Sequence, residues 1–319
     1  MMKKYDVICS GYISLDQIIR IDQPTQVGKT SLVTNANHRQ LYYGGCHLNV
    51  AYALSRLNKI ALPILRVGDD YQTTGLKAYL EQSTIALDGL STVPNESTSS
   101  AYLIEDPESN HVTLFNPGSM AGKYAKRFPD QWFKESRLAL MTVASKEDNQ
   151  YFLEQCKNHQ LPLFLGMKMD GDAFEVDFLK SILNYVSGLF TNESEAQCIL
   201  DMMGMTHIES LFERLPQLQS FVITQGKQGS MAYQRNDHLI VKHQVGIVKT
   251  DHCIDSVGSG DAYIAGFIYG YLNQQPIETC MAYGATLATF ALEGMGATTN
   301  LPNEDDFLIR HQINFLGEK

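Results

Sequence analysis

Nowhere in the 319 residues do lysine and arginine gather into a run, and the formal net charge is -10 with a pI near 5.3. Such a chain has no basic field to hold a polyphosphate backbone, so nucleic acid is not an expected partner. The cysteines Cys9, Cys46, Cys156, Cys198, Cys253 and Cys280 are scattered, with no CxxC pair and no zinc spacing, and read as reduced thiols. No apolar stretch approaches the roughly 20 residues of a membrane span. The N-terminal run around Val7-Ile8-Cys9 is cut by Gly11 and closed by Asp16, too short for a secretion signal, so the expected location is the cytoplasm. The Walker pattern GxxxxGK[ST] is missing, which disfavours a P-loop. Internal repeats and low-complexity segments are missing too.

What is present is the composition of a folded protein, with 44% hydrophobic and 19% charged residues over a length sufficient for a proper core. Asp6-Val7-Ile8-Cys9-Ser10-Gly11, Leu161-Pro162-Leu163-Phe164-Leu165 and Ser220-Phe221-Val222-Ile223-Thr224 are short apolar runs that read as buried strands. Between them Val50, Leu54 and Leu57 recur at i, i+4, i+7, as do Phe178, Ile182 and Tyr185, and each set predicts a helix. Strands alternating with helices imply a mainly parallel sheet covered on both faces. Residues 12–43 and 97–118 break this rhythm with Ser, Thr, Asn and Tyr among alternating apolar positions. The second segment holds the turn cluster Asp106-Pro107-Glu108-Ser109-Asn110. Both predict a small β-layer on a single domain spanning 1–319.

The most informative stretch is Asp255-Ser256-Val257-Gly258-Ser259-Gly260-Asp261, a glycine loop that runs into a small-residue helix. Gly258 and Gly260 let backbone N–H groups of Gly258, Ser259 and Gly260 approach an anion, and the helix adds its positive end. A carboxylate beside such a site repels phosphate unless it has work there. Asp261 as the base that accepts a proton from an attacking hydroxyl explains loop and charge together. The alternative is that Asp261 caps the helix and the glycines only turn the chain.

Three further motifs accompany it. Gly44-Gly45-Cys46-His47-Leu48-Asn49 sets a glycine pair before a helix with an amide on its first turn, and an amide both donates to and accepts from hydroxyls. Asp16 adds a carboxylate, unless it occupies a solvated loop. Asn192-Glu193-Ser194-Glu195 places an amide and a carboxylate on one helix face, suited to a hydrated Mg²⁺ or simply to helix capping. Thr224-Gln225-Gly226-Lys227-Gln228-Gly229 follows a strand, where open α/β sheets bind ligands.

In this order these motifs resemble the ribokinase-like family of carbohydrate and nucleoside kinases, also called the PfkB family, over nearly the whole chain. Ser259 stands where the family commonly has alanine in GAGD. The resemblance implies a three-layer α/β/α sandwich with a mainly parallel sheet, a small β-sheet lid, and transfer of a phosphoryl group from ATP with Mg²⁺. It makes Asp261 the base, Asp16, Gly44, Gly45 and Asn49 substrate contacts, and Asn192 with Glu195 the phosphate and Mg²⁺ motif, Glu195 acting through water. It makes Thr224, Gly226 and Gly229 the nucleotide loop, and places a K⁺ ion near Asp255 and the loop Gly296-Ala297-Thr298-Thr299-Asn300.

Cys46 and Ala144 stand where ribokinases have lysine and glutamate, which argues against ribose. Phe115-Asn116-Pro117-Gly118-Ser119-Met120 and Gly188-Leu189-Phe190-Thr191-Asn192-Glu193 look more like bacterial adenosine-kinase-type members, so a nucleoside is the expected acceptor. Alternatives are a sugar or sugar phosphate such as fructose or 2-keto-3-deoxygluconate, and a sensor on the same fold that turns nothing over. His47, His111 and His243 lack metal-ligand spacing and are expected at the surface or at helix edges. Trp132 is expected to anchor its segment. Uncovered lid strands suggest a homodimer.

Overall fold

A computed structural model describes residues 3–108, 110–237 and 239–317. Met1, Met2, Ser109 of the turn cluster, His238, Glu318 and Lys319 lie outside the described residues. The strands, in chain order, are β1 (Tyr5–Ser10), β2 (Ser14–Arg20), β3 (Tyr42–Gly44), β4 (Ala61–Pro63), β5 (Leu65–Val67), β6 (Leu90–Thr92), β7 (Ser100–Glu105), β8 (His111–Asn116), β9 (Ser136–Met141), β10 (Leu163–Gly166), β11 (Gly188–Asn192), β12 (Ser220–Thr224), β13 (Ser230–Asn236) and β14 (Leu239–Val245). Eight of them form one sheet in the order β14-β13-β12-β11-β10-β9-β1-β4. From β12 to β4 neighbours run parallel, and β13 and β14 close one edge as antiparallel strands. A second sheet has the order β3-β2-β7-β8, and β5 pairs with β6 alone.

The alternation of side chains along each central strand divides the interior in two. Val7 and Cys9 of β1, Leu138 and Leu140 of β9, and Phe164 of β10 face one core, together with Leu54, Phe267, Leu287 and Phe307. Those four come from the helices Cys46–Arg56, Ser259–Leu272, Ile277–Leu292 and Glu304–His311. Ile8, Ala139, Met141, Leu163 and Leu165 face the other core, with Phe152, Ile182, Ile199 and Phe212 from the helices Lys146–Asn158, Val176–Leu183, Glu193–Met203 and Ile208–Arg214. Because both faces of the sheet are dry, the strands read as near-continuous apolar runs. The three-layer α/β/α body and the smaller sheet are those the motifs implied.

Local details depart from the expectations. The helix begun at Val176 ends at Leu183, so Tyr185 lies beyond it, and its hydroxyl donates to the Cys156 carbonyl at 2.7 Å. Within 12–43 only β2 and β3 are strands; between them there is one bridge, Ile21 to Val33. Asp16 is no loop residue: it sits within β2 and is 8% exposed. His47 is not at the surface but fully buried, its ring nitrogens 3.1 Å from the Tyr12 carbonyl and 3.0 Å from that of Ile64, and burial lowers its pKa to about 4. His243 pairs with Glu278 at 2.8 Å, and the side chain of His111 lies outside what is described. Trp132 packs against the second core from the short helix Asp130–Lys134. All six cysteines are free thiols. No helix among the described residues is long and apolar enough to cross a membrane.

Candidate active site

Three cavities lie in a row across the carboxyl ends of the parallel strands. The first, 510 Å³, is lined by Gly226 and Gly229 of the β12–β13 turn, by Val248, and by Ala285, Ala288 and Leu292 of the helix Ile277–Leu292. The second, 240 Å³, is lined by Asn192, Glu195, Thr191, Gly260 and Asp261. The third, 420 Å³, is lined by Asp16, Gly45, Asn49 and Asp261, and by Ala101, Leu103, Thr113 and Phe115 of the smaller sheet. Thr224, Gly260 and Tyr263 border both the first and the second cavity. Gly258 and Asp261 border both the second and the third. The glycine loop is thus the common wall.

At that wall Gly258 precedes the helix Ser259–Leu272 with φ 76°, and a Cβ there would press on Ala297 at 2.6 Å from its Cα. Only glycine takes this backbone without strain. Gly260 differs: a Cβ there meets no protein atom within 4 Å, so the space beside it belongs to the cavities. Ser259 N–H is taken by the Ser256 carbonyl at 3.2 Å, whereas the N–H groups of Gly258, Gly260 and Asp261 meet no acceptor among the described residues. Of the three donors expected from the loop, Ser259 is therefore already engaged, and Asp261 supplies one in its place.

The Asp261 carboxylate accepts a hydrogen bond from Asn49 Nδ2 at 2.7 Å. Burial raises its pKa above the ordinary 3.8, against the hydrogen bond from Asn49 and the charge of Lys168. Asn49 Oδ1 is buried and has no partner among the described residues. Gly44 ends β3 against the Asp16 carboxylate, which accepts from the Ser14 hydroxyl, and Gly45 caps the next helix with φ 101°. Burial pushes Asp16 up to about 6. Asp16, Gly45, Asn49 and Asp261 are brought to one cavity from β2, a turn and two helices.

Asn192 and Glu195 form a capping box: Asn192 Oδ1 accepts from Glu195 N–H at 2.9 Å, and Glu195 Oε2 accepts from Asn192 N–H at 2.8 Å. The capping reading is thus realised, and the same pair borders the middle cavity. Burial raises the pKa of Glu195. The Thr191 hydroxyl, which borders the same cavity, is buried without a partner among the described residues. Gly226 and Gly229 take φ 54° and 90° in the turn after β12. Asp255 joins two loops, accepting from Val257 N–H at 3.0 Å and from Gly296 N–H at 2.8 Å.

The model of the pfkB family of carbohydrate kinases matches residues 5–304. The chain belongs to this family. A nucleoside kinase of Methanocaldococcus jannaschii is 26% identical over 98% of this chain and 99% of its own length. A 5-dehydro-2-deoxygluconokinase of Lacticaseibacillus casei is 34% identical, covering 96% of this chain and 95% of its own. Among solved structures, that of the M. jannaschii nucleoside kinase, described as an archaeal member of the ribokinase family, superposes with a TM-score of 0.84 at 23% identity over 98% and 99% of the two chains. This pfkB-family protein is an ATP-dependent phosphotransferase that acts on a hydroxyl group of a nucleoside or sugar.

Several residues that line these cavities escaped the sequence reading. Lys168 borders the second and third cavities, and it follows the apolar run of β10, where ligands gather in open α/β sheets. Its place after a buried strand was the available signal. Tyr12 and Phe115 both line the third cavity, their ring centroids 4.8 Å apart and their planes tilted by 50°. No local pattern joins residues so distant in sequence. The apolar wall from the helix Ile277–Leu292 reads in sequence as ordinary core. Cys46 lines the second and third cavities, and burial holds its thiol up at about 12.

Proposed function

We propose that this kinase phosphorylates a nucleoside, with ATP in the apolar cavity beside Gly226 and Gly229 and the acceptor in the cavity beside Asp16 and Asn49. The observation that carries this is the mixed lining of the acceptor cavity. It offers the Asp16 carboxylate and Asn49 Oδ1, which has no partner among the described residues, groups that suit vicinal hydroxyls. It also offers the rings of Tyr12 and Phe115, tilted 50° to each other, with Ala101, Leu103 and Val143, apolar surface that suits a flat base. A nucleoside combines the same two kinds of surface.

In this reading Asp261 accepts the acceptor proton, and N–H groups of the Gly258–Asp261 loop face the phosphoryl oxygens. Thr224, Gly226 and Gly229 shape the nucleotide end. Mg²⁺ fits the middle cavity through water: Glu195 and Thr191 offer hard oxygen atoms there, and the Thr191 hydroxyl has no other partner among the described residues. When bound, the ion neutralises phosphate charge. A K⁺ ion fits beside Asp255, which already draws the Gly296 loop against the 255–257 turn. The smaller sheet acts as a lid, its inner residues Ala101, Leu103, Thr113 and Phe115 facing the acceptor. Its outer residues Tyr102, Val112 and Leu114 are exposed, an apolar strip that would pair two copies as a homodimer. The expected location is the cytoplasm.

A sugar acid is the second reading. It is favoured by the 5-dehydro-2-deoxygluconokinase relative and by Lys168, whose ammonium would meet a carboxylate at the acceptor cavity.

The test is ADP release from Mg-ATP, with and without K⁺, against adenosine, inosine, guanosine, cytidine, ribose, fructose, fructose phosphate and 2-keto-3-deoxygluconate. Preferential turnover of a nucleoside supports the proposal. Preferential turnover of a sugar acid replaces it with the second reading, and binding without turnover across the panel would make the protein a sensor.

A further inference from the structure

We propose that Lys168 is a further catalytic residue, the cation that neutralises the phosphoryl group as it passes from the nucleotide side to the acceptor side. The proposal rests on the kinase chemistry of the family and not on which acceptor is used. Met167 N–H donates to the Phe190 carbonyl at 2.9 Å, which continues the edge of β10 and brings Lys168 out at the carboxyl ends of the strands. Four residues border both the middle and the acceptor cavity: Cys46, Lys168, Gly258 and Asp261. Lys168 is the one lysine or arginine lining either cavity among the described residues.

Its surroundings keep it charged and available. Cys46, then Asp261, Asp16 and Glu195, raise its pKa against the opposing effect of burial. Cys46 holds its proton at neutral pH, so the carboxylates supply the field. No ion pair fixes the ammonium among the described residues, in contrast to the buried Arg66, which is locked to Asp148 at 2.6 Å. A cation between three carboxylates and tied to none has its strongest attraction free for a ligand.

The chemistry needs such a charge. The acceptor oxygen bonds to the γ-phosphorus while the bond from that phosphorus to the bridging oxygen breaks, its electron pair leaving with ADP. The acceptor proton passes to Asp261. Throughout, a group bearing negative charge on its non-bridging oxygens moves toward Asp261 and Asp16, in a protein of net charge -10. The loop N–H groups face one side of this path, and Lys168 borders the same two cavities, keeping its proton and donating hydrogen bonds to the moving oxygens.

The test starts from wild-type turnover, whose absence would count against the kinase reading itself and not against Lys168 in particular. Lys168 lies in the loop after β10 and is held by no ion pair among the described residues, so K168M is expected to retain the wild-type thermal transition. It should lower kcat about 10²–10³-fold, leave the acceptor KM and ADP affinity within about threefold, and weaken the ADP–aluminium fluoride complex in proportion to kcat. K168R should recover at least about tenfold of the loss. If K168M unfolds, K168Q carries the same measurements. An unchanged kcat overturns the proposal. So does a loss confined to acceptor KM, which would make Lys168 an acceptor ligand, or an equal weakening of ADP and its aluminium fluoride complex, which would make it a ground-state nucleotide contact.

Discussion

Asn49 and Asp261 stand 212 positions apart in the chain, and Asn49 Nδ2 donates to Asp261 Oδ2 at 2.7 Å. This hydrogen bond favours the ionised carboxylate, so its removal should raise the pKa of Asp261. Asn49→Ala is expected to move the acid limb of the kcat/KM profile to higher pH and to cost about 10- to 100-fold at its plateau, the scale of a hydrogen bond to a charge. An acid limb that stays in place would mean that the bond is absent in the working enzyme.

Asp261→Asn keeps the shape and the hydrogen-bonding edge but cannot take a proton. Turnover should fall roughly 10²–10⁴-fold while ATP affinity and thermal stability hold or rise, since a buried charge is removed. Single-turnover measurement with saturating ATP and acceptor checks this. Wild-type rates would remove Asp261 from the role of base.

The two glycines of the loop should separate structure from binding. Gly258→Ala places a Cβ against Ala297 at φ 76°, and unfolding free energy should drop by at least about 1–3 kcal/mol. Gly260→Ala meets no protein atom within 4 Å and should leave stability unchanged or slightly higher. Yet its methyl group would enter the nucleotide side of the loop, so ATP binding by calorimetry should weaken. Equal stability losses in the two variants would contradict this division.

Asp16 makes stability depend on pH. Its carboxyl holds a proton up to about pH 6 when folded and only to its ordinary 3.8 when unfolded. In between, the unfolded chain binds fewer protons at this site, so the Asp16 contribution to stability is fully present below 3.8 and is lost as the pH rises through 6, by up to about 3 kcal/mol. Asp261 acts in the same direction. Asp16→Asn should remove most of the Asp16 part of that decline, seen as a flatter plot of urea-unfolding free energy against pH. An unchanged slope would show that Asp16 is ionised freely in the fold.

Much of the body was legible because its signals are local. Short apolar runs such as Ser220–Thr224 coincide with β12, since a parallel strand buried on both faces must be apolar throughout. The loop from Gly258 to Asp261 announced itself through the need of a turn for glycine and of a helix start for an acid. The helix through Tyr185 was overdrawn because apolar spacing persists beyond the last helical turn when the next residue is also buried partner to the core. Asp16 was hard to place because β2 turns Ser14 and Asp16 toward the third cavity and Leu15 into the core, so its buried positions are not all apolar.

By itself, then, the sequence determined the layered fold, the glycine loop with its carboxylate, and the motifs that mark a kinase, all encoded in stretches of about ten residues or fewer. The tertiary structure alone decided which residues share a cavity. Lys168 among Asp16, Glu195 and Asp261, and Tyr12 against Phe115, are products of strand order in two sheets. Side-chain periodicity tells a residue which face it lies on, but only the pairing of distant strands and the packing of their helices tell it what it faces.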